Sequence, residues 1–194
     1  ILSGPKRGRG LPKVLSIADV DRMLTRAKEL TQVANASPQQ RLRAMRLHCL
    51  LEVLYATGLR VSELVTLPLS ASRRDISMIV VRGKGNKERL VPLNQASRQA
   101  MADYLAAIET LKTDKKKNAA NSQWLFPSFG ESGHLTRQHF ARDLKELAAT
   151  AGLRADATAD SMTSMVDAPN IIENSPRIFE SNSRKLAAQA KMSA

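Results

Sequence analysis

The feature that most constrains the fold of this chain is a single change of hydrophobic period. Most of the sequence repeats its apolar residues at about 3.6 positions, the signature of helices packed on one face. Between Ser77 and Leu93 the period drops to about 2. Ser77-Met78-Ile79-Val80-Val81 reads as a strand, Gly83 to Lys87 as a turn, and Glu88 to Leu93 as the returning strand, with Pro92 near its end. A chain of this kind is expected to be α+β and mainly α-helical, with one small antiparallel β-sheet set among helices.

The helical segments carry their own start and stop signals. Ser16 is a suitable N-cap, with Asp19 three residues on and Asp21 close by, and Ile17, Val20, Met23, Leu24 and Ala27 follow at helical spacing. Asn35 to Pro38 interrupts that pattern. A second helix is expected from about Pro38 to Ala56, with Leu42, Met45, Leu50, Val53 and Leu54 on a broad apolar face and Gly58 placed to end it. A short helix then starts near Arg60 and stops before Pro68. After the hairpin, residues 94–112 return to helix through Ala96, Ala100, Met101, Leu105, Ile108 and Leu111. Lys112 to Ser122, which includes Lys115, Lys116 and Lys117, reads as a solvated loop, and Trp124-Leu125-Phe126-Pro127 as a short apolar anchor. Thr136 caps a last helix, with Phe140, Leu144, Leu147 and Ala148 inward and Gly152 at its end.

The predicted organisation has three parts. Residues 1–15 form a basic interdomain linker, and its stretch 3–13 holds two prolines, three glycines and four positive charges. That chemistry suits either a solvated spacer or a strand lying along a phosphate backbone. Residues 16–154 form a domain. In the tail, 155–194, Asp, Ala, Ser, Thr, Met and Asn dominate, Pro169 and Pro176 interrupt, and only Ser183 to Met192 has helical character.

Charge narrows the partner. The 194 residues carry a formal charge of +12, with a pI near 10.3, which on such a domain points to a polyanion, nucleic acid first. Residues 1–46 contribute +7, residues 47–154 contribute +6 and residues 155–194 contribute −1, so the binding surface is expected before Arg154. The single cysteine, Cys49, excludes an intramolecular disulfide and lies in the apolar run Leu47-His48-Cys49-Leu50-Leu51, which fits a buried thiol and a reducing cytoplasm. No apolar run approaches the ~18 residues that span a membrane, and the basic start lacks the apolar stretch of a signal peptide. No membrane association is expected.

Two cations stand out chemically. Arg60 opens a helix, where a planar guanidinium can grip two phosphate oxygens beside backbone N–H groups and the positive end of the helix dipole. The same arginine has an alternative partner in Glu63, three residues on and on the same helical face. Lys84 stands between Gly83 and Gly85, glycines that ease the chain reversal and expose the ammonium. Near a scissile phosphate such a lysine could neutralise charge or protonate a leaving alkoxide, and otherwise it is a solvated turn residue. Lys87 and Arg89 on the same hairpin read as contacts to backbone phosphates. No pair among His48, His134 and His139 has supported metal-ligand spacing, so neither a metal nor a cofactor is expected.

These residues stand in three ordered blocks: Leu54-Tyr55-Ala56-Thr57-Gly58-Leu59-Arg60-Val61-Ser62-Glu63-Leu64; Gly83-Lys84-Gly85-Asn86-Lys87-Glu88-Arg89-Leu90-Val91-Pro92-Leu93; and Leu125-Phe126-Pro127-Ser128 followed by Leu135-Thr136-Arg137-Gln138. In them residues 3–154 resemble the catalytic domain of tyrosine recombinases, the phage integrase family, and especially its Xer-type members. The resemblance implies a metal-free enzyme that cuts a DNA strand with a tyrosine, holds a 3′-phosphotyrosyl intermediate and rejoins the strand to another. It implies that Arg60 is a phosphate-binding catalytic arginine, that Lys84 is the general acid toward the 5′-oxygen, that Glu63 supports the site and that Arg137 touches the DNA backbone.

The pattern is also incomplete. After Gly152 the family requires His-x-x-Arg at a helix start, a later histidine or tryptophan, and the nucleophilic tyrosine, yet the last histidine here is His139 and the only tyrosines are Tyr55 and Tyr104. Both tyrosines read as packing residues, so the nucleophile is unknown. The chain begins at the linker that follows the family's N-terminal DNA-clamping domain, so both ends read as cut, whether by excision, a disrupted reading frame or divergence. The expected function is therefore site-specific DNA recombination by descent, with DNA binding retained and catalysis incomplete in this chain. The alternative is a non-catalytic DNA-binding or regulatory module that associates with intact recombinases. A basic RNA-associated protein explains the charge but not the ordered blocks. Expected partners are double-stranded DNA and other recombinase protomers, with no small-molecule ligand, and chromosome-dimer resolution and mobile-element integration both fit as pathways.

Overall fold

The computed structural model describes residues 15–72, 77–83, 88–114 and 122–153. Lys84, Lys87, the Lys115-Lys116-Lys117 run, almost all of the basic linker and the tail from Ala155 lie outside the described residues. The elements are α1 (Ile17–Thr31), α2 (Pro38–Thr57), α3 (Val61–Val65), a short 3-10 helix (Leu69–Ser72), β1 (Met78–Arg82), β2 (Glu88–Pro92), α4 (Gln95–Asp114) and α5 (Arg137–Thr150). The architecture is the expected one, mainly helical with a two-stranded antiparallel sheet.

Side-chain caps fix the helix starts. The Ser16 hydroxyl accepts the Asp19 N–H at 3.1 Å and the Asp19 carboxylate accepts the Ser16 N–H at 3.1 Å. Ser37 and Gln40 repeat this reciprocal box with bonds of 3.3 and 2.8 Å, and Pro38 fills the first helical turn, where its missing N–H is harmless. Gly58, at φ 59°, ends α2 in the left-handed region while its N–H bonds the Leu54 carbonyl at 2.8 Å. That conformation turns the chain out of α2 and into the short approach to Arg60.

α2 is the centre of the core. It packs on α1, α3, α4, α5 and β2, and Leu47, Cys49, Leu50, Leu51 and Val53 are all buried. A helix surrounded in this way has no single apolar face, so the expected stripe marks it only in part: Leu50 and Val53 are buried, whereas Leu42, Met45 and Leu54 pack at the core's margin. Around it α1 contributes Met23 and Ala27, α4 contributes Ala100, Met101, Tyr104 and Ile108, and α5 contributes Phe140, Leu144, Leu147 and Ala148.

Strand register assigns the hairpin's two faces. Val81 pairs with Arg89 and Ile79 with Val91, and Ile79, Val81 and Val91 are buried on the inward face. Met78, Val80 and Leu90 alternate with them and are exposed. After α4, the apolar anchor zips onto the chain leaving α3: the Leu125 N–H donates to the Leu67 carbonyl and the Leu69 N–H to the Gln123 carbonyl, both at 2.8 Å. Leu125 and Phe126 are fully buried, and Phe126 stacks on Tyr104 with ring centroids 5.7 Å apart.

Candidate nucleic-acid interface

Arg60 occupies the N-cap of α3 in extended conformation, one residue before the first helical turn. Glu63, at the third helical position, reaches back to accept the Arg60 backbone N–H at 2.9 Å. This bond fixes the start of the helix and brings the carboxylate under the Arg60 side chain. The pairing expected between the two residues is present but slight, with Arg60 Nη1 3.3 Å from Glu63 Oε1.

The stronger partner of that carboxylate comes from the hairpin. Arg89 donates two parallel bonds to Glu63, Nη2 to Oε2 at 2.9 Å and Nη1 to Oε1 at 3.3 Å. This fork-on-carboxylate geometry is the favourable one for guanidinium. The Glu63 side chain is only 6% exposed, whereas those of Arg60 and Arg89 are 37% and 44% exposed. A buried anion is thus flanked by two cations that reach solvent, and the cluster carries net positive charge at the surface.

Sequence reasoning found Arg60 and Glu63 because their three-residue spacing is local. It offers Arg89 as a phosphate contact and gives no sign of its bond to Glu63, 26 residues away, which the placement of the hairpin beside α3 creates. Arg89 shares the inward face of β2 with Val91, and that alternation was the available signal.

Arg137 is exposed in the first turn of α5. The Thr136 hydroxyl accepts the His139 N–H at 3.3 Å and pairs with His139 Nδ1 at 2.7 Å, fixing the turn from which Arg137 projects. α5 itself packs against α1, α2 and α3, the helix that follows Arg60. Lys84 and Lys87 belong to the connection between the paired residues Arg82 and Glu88.

Neither tyrosine has the setting of a nucleophile. Tyr104 lies in the core against Phe126, and burial pushes its phenol well above the ordinary value of 10.0. Tyr55 is half-buried on α2, and its phenol is raised by burial first and then by Asp21 and Glu52. Both shifts oppose the phenolate an attacking oxygen needs. The Cys49 thiol, fully buried on α2, is likewise pushed far up by burial. Among the described residues, no cluster of three or more His, Cys, Asp or Glu could hold a metal ion, and no helix is long and apolar enough to cross a membrane.

The phage integrase family matches residues 23–164. The chain is 72% identical over 174 residues to the tyrosine recombinase XerD of Bradyrhizobium diazoefficiens, covering 90% of this chain and 55% of that protein. It is 47% identical over 174 residues to XerD of Brucella suis biovar 1, covering 90% and 54%. It therefore spans about half the length of these relatives. Among solved structures it resembles XerA recombinase, with a TM-score of 0.58 and 22% identity over 93% of this chain and 56% of that one. It also resembles XerH site-specific recombinase bound to difH substrate, with a TM-score of 0.60 and 19% identity over 80% and 41%. At those identities the likeness is one of fold, and the fold agrees with the sequence match. With its helical core, its inserted hairpin and the Arg60 and Glu63 block at the start of α3, the chain belongs to the phage integrase family, on its Xer-type tyrosine recombinase branch.

Proposed function

We propose that this chain is the DNA-handling core of a site-specific recombinase, binding duplex DNA with Arg60 as its phosphate ligand. The observation that carries the reading is the state of the Arg60 guanidinium: it spends one long contact on Glu63 and keeps the rest of its fork accessible. A backbone phosphate can accept two parallel bonds from such a group. Arg137 adds a second contact from α5, and Lys87 a third from the hairpin connection. Lys84 stands where the family pattern places the general acid for the leaving 5′-oxygen, a role that operates only where a nucleophile completes the site.

Strand cleavage requires a phenolate in line with the phosphodiester. Tyr104 is enclosed, Tyr55 is held partly buried within the central helix α2, and the sequence holds no other tyrosine. The 194 residues thus bind DNA, alongside recombinase protomers that carry a complete site, and form no phosphotyrosyl bond themselves.

A nicked suicide duplex carrying a recombination site tests this. Retention of the duplex at low salt that weakens steeply as salt rises, with no denaturation-resistant adduct, is the expected result. A covalent protein–DNA product from this chain, or binding indifferent to salt, would overturn it.

A further inference from the structure

We infer that Arg89 is a positioning residue that keeps Arg60 free for DNA, and that it is not itself a phosphate ligand. The inference rests on the reading of Arg60 as that ligand. The Glu63 side chain is 6% exposed, so its charge must be balanced within the protein. Two guanidinium groups offer that balance, and they do so unequally. Arg89 gives both fork nitrogens to the two carboxylate oxygens, at 2.9 and 3.3 Å. Arg60 gives its backbone N–H and one side-chain nitrogen, the latter at 3.3 Å.

The division of labour follows from where each residue stands. Arg89 is itself exposed, but it stands in phase with the buried Val91 and opposite the buried Val81, and its fork reaches Glu63 of α3. Arg60 caps the helix whose third residue is Glu63, and although its side chain is no more exposed than that of Arg89, it gives the carboxylate one long side-chain bond against two from Arg89. With Arg89 in place the carboxylate is served and the Arg60 fork remains available. Without Arg89 the buried carboxylate keeps Arg60 as its one paired guanidinium. The bidentate geometry that Arg89 vacates then draws Arg60 inward, and a phosphate competes with Glu63 for the same nitrogens. Arg89 therefore acts on DNA through Glu63 and Arg60.

A set of variants of the full chain separates this from direct phosphate contact, measured as duplex affinity across a salt series. Arg60→Ala is expected to weaken binding about tenfold or more and to reduce the magnitude of the salt slope by about 0.9, the share of one phosphate. Arg89→Gln is expected to show the same phenotype, the double variant R60A/R89Q to be no weaker than R60A, and E63Q/R89Q to regain wild-type affinity because no buried charge remains to capture Arg60. The E63Q/R89Q pair also checks that the altered cluster folds. A further tenfold loss with a second drop in slope in R60A/R89Q would make Arg89 a phosphate ligand and overturn the inference while leaving the reading of Arg60 intact. Arg89→Gln without effect, or E63Q/R89Q without recovery, would also overturn it. Arg60→Ala binding like wild type would overturn both.

Discussion

Arg46 of α2 and Asp143 of α5 stand 97 residues apart in sequence and meet at 3.0 Å, with side chains only 19% and 11% exposed. The pair ties the central helix to the helix that presents Arg137. Removing one partner leaves a poorly hydrated charge, so Arg46→Met or Asp143→Leu should each cost about 3 kcal/mol. Replacing both should return stability to within about 1 kcal/mol of wild type, because two desolvated charges leave together. The Arg46 Nε is itself buried without a hydrogen-bond partner, which further lowers the cost of losing that side chain. Urea midpoints of the two single variants and the double variant check this.

Phe126 is fully buried and stacked on Tyr104, at the point where the apolar anchor meets α4. Phe126→Ala should therefore destabilise by about 3–5 kcal/mol, the range for emptying an aromatic site in a core. Thermal melting gives the measurement. Tyr104→Phe should leave duplex affinity unchanged, since an enclosed phenol reaches no DNA.

Gly58 holds φ 59° two residues before Arg60. A side chain there meets the left-handed penalty, so Gly58→Ala should cost about 1 kcal/mol or somewhat more. Gly58→Asn should cost less, because asparagine tolerates that region. The loss of stability should be accompanied by weaker DNA binding, since the same turn aims Arg60. Chemical denaturation and a binding titration on both variants test the pairing of the two effects.

Cys49 and Tyr104 make folding sensitive to alkali. Burial raises both groups above their ordinary values of 9.0 and 10.0, so the folded chain holds these protons more tightly than the unfolded chain does. Unfolding then releases protons once pH exceeds those ordinary values, and stability falls as pH rises, by up to about 1.4 kcal/mol per pH unit for each group. Between pH 9 and 10.5, Cys49→Ala should flatten the decline by the share of one group, read from urea midpoints. Below pH 8 the thiol should have no effect on the slope.

The caps and breaks in this chain were legible because they are local. Ser16 with Asp19, Thr136 opening α5, Gly58 and Gly152 all act within a few residues of themselves. The hairpin was legible because its period differs from everything around it. What escaped were pairings that only packing creates. No spacing rule joins Arg89 to Glu63 or Arg46 to Asp143, and both were found only once the hairpin and α5 lay against the central helices. Helix α2 shows a related limit: Leu47, Cys49 and Leu51 are buried beside Leu50 and Val53 because neighbours press on every side, a condition that erases the stripe from which burial is read. Ile17 fails in the opposite sense, standing exposed at the start of α1 despite its helical spacing.

The two backbone bonds that join Leu67 to Leu125 and Leu69 to Gln123 have a mechanical consequence. Everything between them, the hairpin and α4 included, leaves and re-enters the domain at one clasp. A pull on the hairpin is shared among that clasp, the packing of β2 and α4 on α2, and the Arg89 fork. Because the Arg89 fork ends on Glu63, which also accepts the Arg60 N–H, the share of the load carried by the fork arrives at the seat of Arg60.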